Sequence, residues 1–155
     1  MPRTASASDV AELFLRVVPQ VMRLVAADIR RSGLDIEPLY IHLLRNLSSE
    51  GRSLGDLADV LSVSAPTMSK TISTLEARKW VARQRSETDG RVVMVGLTPE
   101  GRSTLHKAEE YMVRRIAEAL DALSDEERAR LSSGLEILGD VFSRVPSGTE
   151  SARTP

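Results

Sequence analysis

The sequence predicts a mainly α protein with a small β hairpin (α+β): four helices, two short strands, then two further long helices. Three observations predict it. Apolar residues recur at helical spacing near both ends of the chain, and two shorter helical patterns in its middle flank a Ser-Val-Ser turn. Two runs with the two-residue period of strands then enclose Ser86-Glu-Thr-Asp-Gly-Arg91 before helical spacing returns.

With 155 residues, 41% of them hydrophobic, the chain can bury one sizeable core and is expected to form a single cooperative unit. Aromatics are only 3%, so that core is built mostly from Leu, Val, Ile, Ala and Met. The absence of cysteine excludes disulfides, thiolate metal sites and any cysteine-based redox switch within the chain. Arg16 and Arg23 interrupt the apolar residues that begin near Val10, unlike a signal peptide, and no run approaches the roughly 18 apolar residues of a membrane span. The expectation is a soluble, cytoplasmic protein with no membrane partner.

Val10, Leu13, Phe14, Val17, Val21, Leu24 and Val25 predict one amphipathic helix over 9–31, closed near Gly33, with Pro19 inside it as a point of kinking. Residues 1–8 are small and polar and 145–155 have nothing to bury, so both are expected to be disordered. Glu37-Pro38 opens a second helix through Leu39, Leu43 and Leu47, proline being tolerated in a first turn. A third begins at Ser53 as N-cap, with Asp56 at N3, and puts Leu54, Leu57, Ala58 and Leu61 on one face. After Ser62-Val63-Ser64, Ser64 caps a fourth helix whose early Pro66 lacks an N–H that would be orphaned there.

In that fourth helix Met68, Ile72 and Leu75 share one side and face the core. The other side carries Pro66, Lys70, Ser73 and Ala77, flanked by Thr67, Ser69 and Thr74, with no acidic residue before Glu76. Such a small, hydroxylated and basic face can approach phosphates and present hydrogen-bonding groups to base edges, as a recognition helix does in a major groove. An ordinary Ser/Thr-rich surface helix has the same composition, so the segment alone leaves both readings open.

Val81, Arg83 and Arg85 alternate with Ala82 and Gln84 on the outgoing strand, and Val93, Val95 and Leu97 alternate with Val92, Met94 and Gly96 on the return. The return strand is apolar on both sides, a weaker signal. Gly90 is available for positive φ in the turn, and Arg91 at its tip can reach a minor groove, where negative potential favours a guanidinium. Asp89 can hold the loop by accepting hydrogen bonds, and an exposed Asp89–Arg91 ion pair of little energetic value is the other reading. Thr98-Pro99 then opens a helix bearing Leu105, Met112, Ile116 and Leu120, and the capping box Ser124-Asp-Glu-Glu127 opens the last, bearing Leu131, Leu135, Leu138 and Phe142.

The net charge of −1 is uninformative, but its distribution is not. Residues 1–61 carry 7 basic and 8 acidic side chains and residues 92–155 carry 8 and 11, whereas Lys70, Arg78, Lys79, Arg83, Arg85 and Arg91 outnumber Glu76, Glu87 and Asp89 between them. The one basic region coincides with the helix pair and hairpin, although a solvated charged face also accounts for such a segment.

In this order the motifs resemble the MarR (multiple antibiotic resistance regulator) family of winged helix-turn-helix transcriptional regulators. The resemblance is carried by Leu57-Ala58, Ser64-Ala-Pro-Thr67, Leu75-Glu76, Asp89-Gly-Arg91, alternating Val93 and Val95, and Leu97-Thr98-Pro-Glu-Gly101. It implies one domain over 9–144: a winged helix-turn-helix lobe at 34–97, and dimerisation helices at 9–33 and 98–144. It implies a homodimeric repressor that binds a near-palindromic operator in double-stranded DNA, with Ser64, Ala65, Pro66, Thr67, Ser69, Lys70, Ser73 and Thr74 at the major groove. Arg85, Asp89, Gly90 and Arg91 would serve the wing.

One departure stands out. Where the family usually closes the recognition helix with glycine, this chain reads Arg78-Lys79-Trp80-Val81; a left-handed backbone at Lys79 costs roughly 1 kcal/mol or more.

Family members commonly release DNA when a small aromatic or phenolic anion binds between the dimer helices and the lobe. By this resemblance the effector candidates are Arg16, Tyr40, His42 and Arg45. No other cofactor is expected, and two isolated histidines, His42 and His106, give no metal spacing. An enzyme is not expected either, because no nucleophile elbow, phosphate loop, paired-carboxylate motif or metal triplet is present. A winged-helix protein-interaction module without DNA affinity, or an activator of the same fold, remains the alternative.

Overall fold

The computed structural model describes residues 5–85 and 92–144. In chain order the elements are α1 (Ala7–Arg31), α2 (Pro38–Asn46), β1 (Arg52–Ser53), α3 (Leu54–Val60), α4 (Ala65–Ala77), β2 (Val81–Arg85), β3 (Val93–Leu97), α5 (Pro99–Leu120) and α6 (Asp125–Ser143). The fold is mostly helical with one small antiparallel sheet, as the sequence patterns require.

Two features differ from the sequence reading. α1 starts at Ala7, inside the segment 1–8 assigned to a disordered leader. The cause is local: Ser6 Oγ accepts from the Asp9 N–H at 3.2 Å and Asp9 Oδ2 accepts from the Ser6 N–H at 2.9 Å, a capping box that starts the helix. The sheet has three strands in the order β1-β3-β2, where two were expected. Arg52 pairs with Val95 and Ser53 with Met94, while β2 runs against β3 from Val81↔Leu97 to Arg85↔Val93. Two residues are too few to show a strand period, and Ser53 doubles as the N-cap of α3, accepting from the Asp56 N–H at 3.0 Å.

The core lies in the lobe formed by α2 to β3 and the first half of α5. Leu43, Leu44, Leu57, Ile72, Leu75 and Val95 have no solvent exposure, and Met68 and Ile29 have almost none. Burial of each such large side chain stabilises by about 1.5–3 kcal/mol relative to exposure. The helix faces inferred from spacing in α3 and α4 therefore point where expected: Leu57 and Ala58 are buried, with Leu54 and Leu61 packed against them, and so are Met68, Ile72 and Leu75.

The terminal helices behave differently. Only Asp28 and Ile29 are buried in the 25 residues of α1, and no residue of α6 is buried. Val10, Leu13, Val17, Val21 and Leu24 on α1 and Leu131, Leu135, Val141 and Phe142 on α6 are exposed. Phe14 and Phe142 stack with ring centroids 5.5 Å apart, so the two apolar stripes adjoin. α1 is tied to α5 by Asp28, 8% exposed, which accepts from Arg115 Nε at 3.0 Å.

Candidate nucleic-acid interface

α3 and α4 form the helix-turn-helix, and backbone geometry fixes the turn. Ser62 adopts φ 52°, and the Ser62 and Val63 N–H groups donate to Asp59 O and Ala58 O at 3.1 and 3.0 Å. This Schellman closure satisfies two carbonyls at the end of α3 and sends the chain directly into the Ser64 cap. Ser64 Oγ accepts from the Thr67 N–H at 3.3 Å, and the two hydroxyls lie 2.8 Å apart. The apolar stripe Met68-Ile72-Leu75 then anchors α4 with its opposite side outward.

On that outward side Ser64, Ala65, Pro66, Thr67, Lys70, Ser73 and Thr74 are exposed and Ser69 is half-buried. The hydroxyls of Thr71, Ser73 and Thr74 donate back to Thr67 O, Ser69 O and Lys70 O at 3.0, 2.9 and 3.2 Å. Back-bonding leaves the hydroxyl oxygens available as acceptors without leaving a donor unsatisfied. The eight residues expected at the major groove thus share one helix and one surface.

Lys79 does take the left-handed conformation, at φ 62°. Its N–H donates to Glu76 O at 2.9 Å and that of Trp80 to Leu75 O at 3.0 Å, a second Schellman closure formed without glycine. The exit from α4 is held from the other side as well. Thr98 Oγ1 donates to Lys79 O at 2.5 Å and the Thr98 N–H to Trp80 O at 3.1 Å. Thr98 is also the N-cap of α5, so one residue seats the hairpin and the long helix against the end of α4. Gly101 completes the joint: a Cβ there would lie 1.9 Å from Trp80 O.

The basic residues divide into two groups. Arg78 donates to Asp35 O and Asp35 Oδ2 at 2.5 and 3.1 Å, and its guanidinium lies 4.9 Å from the Trp80 ring centroid and 6.0 Å from that of Tyr40. Arg83 donates to Glu76 Oε2 at 2.9 Å and to Ser69 O and Ser73 Oγ at 3.1 and 3.0 Å. These two arginines hold elements together. Lys70, Lys79 and Arg85 are exposed. Arg85 ends β2 on the same strand face as Arg83, at the root of the wing, while Asp89, Gly90 and Arg91 lie outside the described residues. The roles of Arg78 and Arg83 were not assigned from sequence; the only linear hint was Glu76 seven residues before Arg83.

No hydrogen bond or ion pair joins the four effector candidates to one another among the described residues. Tyr40 packs near Arg78, whereas His42 leaves α2 roughly 160° away around the helix axis. Arg45 is paired with Glu109 of α5 at 2.8 Å, and Arg16 sits in the exposed first half of α1. A cavity of about 750 Å³ opens instead beside the start of α5, lined by Ser48, Leu97, Pro99, Arg102, His106 and Glu109 among others. Among the described residues no three His, Cys, Asp or Glu side chains gather as metal ligands, and no helix is long and apolar enough to cross a membrane.

The sequence profile of the MarR family matches residues 34–92, which run from the entry to α2 to the edge of β3 and contain the whole helix-turn-helix. Over that stretch, 59 of the 155 residues, the chain is similar to the MarR family. It is 29% identical over 90 residues to the HTH-type transcriptional regulator YpoP of Bacillus subtilis, covering 57% of this chain and 64%, less than two thirds, of that relative's length. The transcriptional regulator BldR from Sulfolobus solfataricus superposes with a TM-score of 0.67 at 25% identity, covering 91% of this chain and all of that one. Streptococcus pneumoniae FabT, in a crystal structure in complex with DNA, matches with a TM-score of 0.66 at 23% identity over 89% of this chain and 98% of its own. YpoP and BldR are each described as transcriptional regulators.

Proposed function

We propose that this chain is a MarR-like, sequence-specific DNA-binding transcriptional repressor of the cytoplasm. It acts as a homodimer on a near-palindromic operator. The observation that carries the reading is the outward face of α4, where Ser64, Thr67, Lys70 and Thr74 are exposed together, with no acidic residue in the helix before Glu76. Hydroxyls and a lysine on a helix with small side chains at its N-terminal end fit a major groove, with base edges near Thr67 and Ser69 and phosphates near Lys70. Arg85 and Arg91 extend the contact towards the adjacent minor groove.

Dimerisation follows from the uncovered stripes of α1 and α6. Exposed apolar residues along two adjoining helices form more apolar surface than an isolated chain covers, and a second copy offers the same stripe in return. A two-fold dimer then sets its α4 helices about 10–10.5 bp apart, in successive major grooves. A small aromatic or phenolic anion that binds between dimer helices and lobe relieves repression, and Arg16, Tyr40, His42 and Arg45 are the candidate residues for it.

The reading is tested on duplexes selected by the purified chain from a random 24-bp library. A near-palindromic consensus, a dimer by light scattering, and affinity that falls steeply with salt are expected. Arg91→Ala weakens binding to all duplexes, whereas Thr67→Ala alters base preference. A monomer at micromolar concentration, or no enriched sequence, refutes it.

A further inference from the structure

We propose that Arg83 is a positioning residue that keeps the reading face of α4 in register with the wing strand, and that Ser73 serves this clamp and not a base. The inference rests on the DNA-binding reading above. Arg83 leaves the middle of β2, opposite Val95, and forks onto two consecutive turns of α4. One guanidinium nitrogen bonds Glu76 Oε2 at 2.9 Å; the other bonds Ser69 O at 3.1 Å and Ser73 Oγ at 3.0 Å. Partners at 69, 73 and 76 span about two turns, so the fork resists both rotation of α4 about its axis and sliding along it.

The clamp consumes the groups it touches. Ser73 Oγ accepts from Arg83 while donating to Ser69 O at 2.9 Å, which occupies its proton and one lone pair. Arg83 itself is only 29% exposed, and its Nε is buried without a hydrogen-bond partner among the described residues. A desolvated, unsatisfied donor costs stability, so an apolar contact would hold strand to helix more favourably. What an apolar contact cannot supply is directional register. Arg85, two residues further along the same strand face, is exposed and leads to the wing. A displacement of the wing root on DNA therefore reaches the base-reading face through Arg83, and the converse holds.

The test uses the full chain and the duplex that it enriches from a random 24-bp library. Arg83→Gln is expected to lose about tenfold or more in affinity, and reselection with the variant to give a relaxed preference at the bases facing α4. The slope of log affinity against log salt stays unchanged, because the guanidinium reaches no phosphate. In a double-mutant cycle, Ser73→Ala on top of Arg83→Gln adds no further loss, as expected for a side chain that acts through the arginine. A folded Arg83→Gln protein that binds and selects like the parent overturns the proposal, as does a salt slope lowered by about one with base preference intact. Additive losses for Ser73 and Arg83 overturn the assignment of Ser73. If Arg83→Gln fails to fold, Glu76→Gln, which keeps an acceptor but removes the charge, is expected to relax base preference in the same direction; an unchanged preference overturns the clamp. Enrichment of no duplex by the parent chain overturns the DNA-binding reading instead, and is seen before any variant is made.

Discussion

Lys79→Gly is expected to stabilise this protein. Lys79 sits at φ 62° because the Schellman closure of α4 needs a left-handed residue, and both hydrogen bonds of that closure are formed. For a residue with a Cβ this conformation costs about 1–2 kcal/mol. Glycine removes the steric cost but loses about 0.5–1 kcal/mol more backbone entropy on folding. The Lys79 side chain is exposed, so its removal sacrifices little packing. The net is a gain of about 0.5–1 kcal/mol, or about 1–4 °C in midpoint for a chain of this size. Thermal and urea unfolding should be compared at one fixed protein concentration, since the midpoint of the proposed dimer depends on it. Lys79→Ala is the control. It removes the same side chain but keeps the left-handed cost, and should lie within about 0.5 kcal/mol of the parent. A glycine variant no more stable than the alanine variant would show that the backbone at the end of α4 bears no strain, and the reasoning would fail.

Three further outcomes follow from the same joints. Gly101→Ala places a Cβ 1.9 Å from the carbonyl oxygen of Trp80, a backbone atom that cannot swing aside, so it should lower the unfolding midpoint more than Gly134→Ala, where a Cβ meets nothing within 4 Å. Arg115→Ala strips the buried Asp28 carboxylate of its partner and should destabilise more than the Asp28→Asn, Arg115→Ala pair, read as non-additivity in a thermal double-mutant cycle. The carboxyls of Asp9 and Glu127 are held below their ordinary range by the backbone N–H, and then the hydroxyl, of the capping serines Ser6 and Ser124. A carboxyl whose folded-state pKa is depressed contributes stability above its unfolded pKa and loses it as the pH falls through the folded one. Melting curves from about pH 6 to pH 3 should therefore show a falling midpoint that Glu127→Gln makes shallower, and an equal slope in both proteins would count against the cap.

Helix starts were the most legible part of this fold. Ser53, Ser64, Thr98 and Ser124 each accept from the N–H three residues on, an interaction that depends on residue type and short spacing alone. The buried face of α4 was legible for the same reason, since Met68, Ile72 and Leu75 need only the helical period to be found. Left-handed residues were less so. Lys79 could be singled out because glycine is usual there, but Ser62 and Asp35, at φ 52° and 46°, carry no glycine, and no resemblance marks them. β1 was invisible because two residues have no period, and its partner Val95 lies more than forty positions away.

Charge shows most clearly what a sequence withholds. Counting signs between residues 62 and 91 marks the right segment, yet it gives Arg78 and Arg83 the same weight as Lys70 and Arg85. In the fold Arg78 faces Asp35 and Arg83 faces Glu76, so each cation has an anion beside it and adds little to the field outside. Among the described residues of this segment the exposed cations are Lys70, Lys79 and Arg85, at the middle of α4, at its end and on the adjoining strand. Direction is a tertiary property: Arg83 is turned towards α4 by the β2–β3 register, and that register depends on a joint closed by Thr98, Gly101 and a strained Lys79. The strain at Lys79 and the inward arginine are thus parts of one arrangement. It holds the outward face of α4 beside β2, with Lys70, Lys79 and Arg85 exposed around it among the described residues.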